Sequence, residues 1–122
     1  MRFLPLVSIM VIIFLFSHIP GKEMPRQLHI GMDKVLHVLA YATLAAAALW
    51  AWLPQITRRG AAPLWSILLF CLLYGISDEF HQSFISGRYS SFADIIADVI
   101  GAGLFLWGWR LWQRRSNRIE TK

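Results

Sequence analysis

Three short stretches carry most of the side chains able to do chemistry. The first holds Asp33, Lys34, His37 and Tyr41. Asp33, His37 and Tyr41 are spaced i, i+4, i+8, so they share one face of a helix. The second holds Asp78, Glu79, His81 and Gln82, with Tyr74 one turn before Asp78. The third opens with Asp94 and Asp98, again i, i+4, and Arg88 lies just ahead of it. Asp78, Glu79 and Asp94 are candidates for acid, base or metal ligand, and His37 for proton transfer or metal binding. Lys34 and Arg88 are suited to hold a phosphate or carboxylate. Tyr41 and Gln82 are suited to orient a substrate. A divalent cation is the candidate cofactor, since it would relieve carboxylate repulsion and activate water. The spacing fits no known zinc signature.

Simpler roles stand beside these. Asp33 can cap a helix. Ser91 with Asp94 three residues on matches a capping box. Lys34 can snorkel to the membrane surface as an anchor. His18 and His29 read as loop or interface residues, and His81 can face headgroups. Gly101 and Gly103 suit helix packing.

The elements that must position these residues are written in the hydropathy. Of the 122 residues, 57% are hydrophobic and 16% charged, against about 25% charged in a soluble domain. The apolar residues come in runs, at 3–19, 34–53, 63–84 and 92–112. Each run approaches the roughly 20 residues needed to cross a bilayer. Pro20-Gly21 ends the first, Pro54 closes the second and Pro63 opens the third. The segment Ser17-His18-Ile19-Pro20-Gly21 makes a poor cleavage site, so the first run reads as a retained helix. Ala45 to Ala48 offer a small packing face. Trp107, Trp109 and Trp112 fit an aromatic belt. Residues 20–32 read as an ordered outer loop. Cys71 lies alone in an apolar run and forms neither an internal disulfide nor a metal cluster.

The formal net charge is +5. The chain carries no nucleic-acid motif, and its basic residues flank the apolar runs. Four spans put both termini on one side. With the basic tail inside, eight of the 12 Lys and Arg residues are cytoplasmic: Arg2, Arg58, Arg59, Arg110, Arg114, Arg115, Arg118 and Lys122. Lys22, Arg26, Lys34 and Arg88 fall outside, which obeys the positive-inside rule. The expected fold is an all-α membrane protein, a four-transmembrane-helix bundle of residues 1–122 with both termini cytoplasmic. All three polar stretches then lie in the outer half of the bilayer. Asp78 sits about 10 Å inward from Ile85 at 1.5 Å per residue. Ionisable groups at such depth converge inside a bundle rather than face lipid.

These stretches also carry a resemblance. Asp33-Lys34-Val35-Leu36-His37-Val38-Leu39-Ala40-Tyr41 resembles the DKxxHxxxY segment of the VanZ-like membrane family. Asp78-Glu79-Phe80-His81-Gln82-Ser83-Phe84 with Gly87-Arg88 resembles its DExxQxFxxGR segment. Asp94 to Gly101 resembles its DxxxNxxG segment, with Asp98 where the pattern often has Asn. An acid there adds negative charge or shares a proton with a neighbour. The resemblance implies a small, multi-pass helical protein of a bacterial plasma membrane. The family takes its name from a protein associated with resistance to teicoplanin, a phenotype the motifs do not carry over by themselves.

Three functions fit these residues. The first is an enzyme acting on a lipid-linked or cell-envelope substrate at the outer leaflet. The second is a binding or accessory protein for an envelope lipid, glycan or glycopeptide antibiotic. A proton or ion path fits least, because the inner half of each span is nearly all apolar. The lipid bilayer is the expected partner.

Overall fold

The computed structural model describes residues 1–24, 32–59 and 62–120. Residues 25–31, including Arg26 and His29, and Lys122 lie outside the described residues, as do the side chains of Arg58 and Arg59. Four α-helices follow in order: α1 Leu4–Ser17, α2 Met32–Arg59, α3 Ala62–Gln82 and α4 Phe92–Glu120. A 3-10 turn, Gly21–Glu23, follows α1, and no strand occurs among the described residues.

The exterior is apolar and the interior small or polar, the reverse of a soluble bundle. Val11, Trp65, Leu69, Leu73, Ile96 and Leu104 are exposed. So large an apolar surface suits lipid rather than water. Ala45, Ala47, Ala48, Ala51, Ile67, Cys71 and Ala102 are buried instead, as expected where helices associate by close packing. Three helices are long and apolar enough to cross a membrane: α2, α3 and α4. The 14 residues of α1 extend about 21 Å at 1.5 Å per residue, short of a core about 30 Å thick.

Contacts fix the helix directions. Arg2 lies over Trp50 and the Phe3 ring meets Trp52 edge-on, so α1 starts beside the later half of α2. Ser17, at the end of α1, meets Gln82 at the end of α3. Lys34 pairs with Asp94, and His37 with Asp98, so α2 and α4 run parallel. These two helices approach closely at Gly101, where an added Cβ would lie 2.1 Å from the Val38 carbonyl oxygen.

Several boundaries differ from the sequence expectation. Pro54 does not close α2, which runs on to Arg59. Proline removes one N–H and crowds the preceding turn, but Ile56 is buried beyond it and Trp52 packs edge-on against Phe70. Tertiary packing thus carries the helix through the proline. Helix α4 continues past Trp112 to Glu120, because no Gly or Pro follows Gly108 and leaving an apolar layer does not end a helix. Helix α3 stops at Gln82, and α1 covers Leu4–Ser17 rather than 3–19.

Candidate polar site at one end of the bundle

The ends of α1 and α3 and the beginnings of α2 and α4 meet at one end of the bundle. The six Trp residues all lie toward the opposite end. Asp78, Glu79, Gln82, Asp94 and Asp98 are buried, whereas Asp33, Lys34 and His37 are partly so. The candidate residues Asp33, His37, Tyr41, Asp78, Glu79, Gln82 and Asp94, with Lys34, Arg88 and Asp98, all sit in this region.

Lys34 is held by two carboxylates. Its ammonium donates to Asp33 at 2.9 Å and pairs with Asp94 on α4. Asp33 lies one residue inside the start of α2 and accepts from Lys34. One turn deeper, the His37 Nδ1 lies 2.8 Å from Asp98 Oδ1. Its Nε2 lies 3.9 Å from Asp94 Oδ1. With Asp98 as carboxylate, Nδ1 carries the proton and donates it, which leaves Nε2 as the free lone pair. Gly75 makes room for Asp98, since a Cβ there would stand 2.7 Å from Oδ2.

The capping box is completed from another helix. Asp94 turns to Lys34, and the Ser91 N–H donates instead to Glu79 Oε2 at 2.7 Å. Ser91 Oγ accepts from the Ala93 N–H. An acid from α3 thereby caps α4, and sequence spacing alone could not have revealed it. On α3, the Gln82 side chain donates to Asp78 at 3.0 Å and to Ser17 at 3.3 Å. Ser17 was not singled out from the sequence; a serine ending an apolar run was its only signal. Tyr74 donates to the Met10 carbonyl at 2.6 Å, holding α1 against α3. His18 and His81 stack, with ring nitrogens 3.2 Å apart, so they form a pair outside the acid cluster.

Arg88 reaches the cluster's edge through a tight turn. Gly87 has φ +76°, a left-handed conformation glycine adopts without steric cost. The Arg88 guanidinium donates to the Phe16 carbonyl at 3.3 Å, in the last turn of α1, where the Ile19 N–H also donates to it.

Beside this cluster lies a cavity of about 550 Å³ between α1, α2 and the α3–α4 loop. Ile12, Ile13, Phe16, Leu36 and Leu39 form its apolar wall; Asp33, His37, Asp78, Gln82 and Arg88 form its polar part. Tyr41 lines it too. Both the Tyr41 hydroxyl and Arg88 Nε are buried without a hydrogen-bond partner.

This geometry joins the three sequence segments that carried the family resemblance, and a VanZ/LLP1 family model matches residues 2–113. The chain belongs to the VanZ/LLP1 family. The match takes in every helix that contributes to the cluster. Another similar protein is the uncharacterized protein C11E3.10 of Schizosaccharomyces pombe, 34% identical over 74 residues. That alignment covers 61% of this chain and 44% of the yeast protein, so the chain corresponds to less than half of that relative. No solved structure matches.

Proposed function

We propose that this VanZ/LLP1 protein crosses a bacterial plasma membrane four times, termini inside, and acts on an anionic lipid-linked envelope substrate at the outer leaflet. One observation carries the substrate class. The Tyr41 hydroxyl and Arg88 Nε, both buried without a partner, belong to residues lining a cavity that sets an apolar wall of Ile12, Ile13, Phe16, Leu36 and Leu39 beside a polar part. Buried donors ordinarily find acceptors, and a guanidinium matches phosphate or carboxylate. An amphiphile supplies both halves: oxygens for the donors and a chain for the wall. The alternating directions of successive helices and the basic termini support the topology. A short α1 is accommodated by local bilayer thinning.

His37, oriented by Asp98 and close to Glu79 and Asp94, is the acid–base candidate, because a fixed imidazole can move a proton near neutral pH. The experiment extracts the protein from membranes and measures co-purified lipids by mass spectrometry, then assays turnover of phospholipid and polyprenyl-phosphate substrates. Wild-type protein is expected to retain anionic lipid and Arg88→Ala to lose it. Turnover unchanged in Glu79→Gln and His37→Ala would overturn the catalytic assignment. A second reading, binding without chemistry, draws on Asp94 and Asp78 being already engaged by Lys34 and Gln82. It predicts retained lipid with no product.

A further inference from the structure

Five carboxylates gather at this end of the bundle: Asp33, Asp78, Glu79, Asp94 and Asp98. Two fixed cations, Lys34 and Arg88, accompany them. Three donors come closest together. One ligand atom each from His37, Glu79 and Asp94 lies within 4.8 Å of the other two.

We propose that His37, Glu79 and Asp94 bind one divalent transition cation, with Asp98 as a positioning residue behind His37. The Glu79 carboxylate is an independent pointer. The residue is 2% exposed, and only one of its oxygens is engaged, by the Ser91 N–H. The other, Oε1, is buried with no partner. A carboxylate oxygen so placed calls for a positive or donating ligand. The imidazole is presented in the manner of a metal ligand. Asp98 holds Nδ1 and leaves Nε2 free on the Asp94 side, the carboxylate–histidine arrangement that fixes tautomer and raises ligand basicity.

One imidazole nitrogen with two carboxylates suits Zn²⁺ or Mn²⁺. Bonds of about 2.0–2.2 Å require the three donors to close up by roughly 1 Å or more. Lys34 competes for Asp94, since its ammonium pairs with Oδ1. In the loaded protein His37 Nε2 is a ligand rather than the acid–base group of the apo site; the proposal stands whether or not the neighbouring cavity takes a lipid.

The test uses the full chain in detergent, stripped with chelator and titrated with Zn²⁺ alone and Mn²⁺ alone. Calorimetry gives the stoichiometry, and electron paramagnetic resonance follows free Mn²⁺. One cation per chain is expected. Asp98→Ala should weaken binding about 10–100-fold. Glu79→Gln should abolish it while retaining an oxygen for Ser91. Lys34→Met, which removes the competitor, should tighten binding, a response no purely structural role of the cluster produces. Circular dichroism on each variant establishes that it is folded. The proposal is overturned by no saturable binding of either ion, by unchanged binding in folded Glu79→Gln, or by Lys34→Met binding no tighter than wild type. Lipid retention is a separate readout, so loss of the lipid reading leaves the cation site standing and the reverse.

Discussion

Glu79 illustrates how one side chain serves two ends. Through Oε2 it supplies the N-terminus of α4 with the acceptor that a local acid usually provides. Removing a cap of this kind costs about 0.5–2 kcal/mol. Glu79→Ala is therefore expected to lower the thermal midpoint in detergent, while Glu79→Gln, which keeps an acceptor oxygen, should lower it much less. Equal losses in the two variants would contradict the capping role. The participation of Asp33, His37, Glu79 and Asp94 was legible in the sequence, because ionisable residues in apolar runs have few places to go. The partners were not. Lys34 is nearest in sequence to Asp33, yet it also reaches Asp94 sixty residues on, and no spacing rule links residues on different helices.

At the scale of elements, the parallel pair α2 and α4 sets the level of the acids. Their approach depends on Gly101, whose Cβ position is filled by the Val38 backbone. Gly101→Ala should force the helices apart and cost about 1–3 kcal/mol, the range for overpacking. Gly103 has open space around its Cβ position, so Gly103→Ala should be neutral or stabilise by up to about 1 kcal/mol. Thermal unfolding of the two variants side by side separates close contact from helix propensity. The runs of apolar residues announced four helices, and the small residues announced tight packing. Their ends were less legible: Pro54 forbids one hydrogen bond, but the buried Ile56 and the Trp52–Phe70 contact lie outside any local rule.

The whole molecule has a polar end and a tryptophan end, and Arg114, Arg115 and Arg118 of α4 lie beyond the latter. If the tail is inside, a cysteine at position 90 faces the cell exterior and one at 116 the cytoplasm. In intact cells a membrane-impermeant maleimide should label Ser90→Cys. Ser116→Cys should react only after permeabilisation. Cys71 is buried and should stay silent in both. The inverse labelling pattern would reverse the proposed orientation.

The pairing of Lys34 and His37 with Asp94 and Asp98 also bears on biogenesis. Ribosomes deliver α2 before α4, so the ammonium and imidazole are waiting when the two carboxylates arrive. If α4 crosses the membrane, its two leading carboxylates then enter beside partners already in place. Lys34→Ala combined with His37→Ala should then leave a fraction of chains with α4 and its tail outside, visible as loss of the protected C-terminal fragment when protease is added from outside.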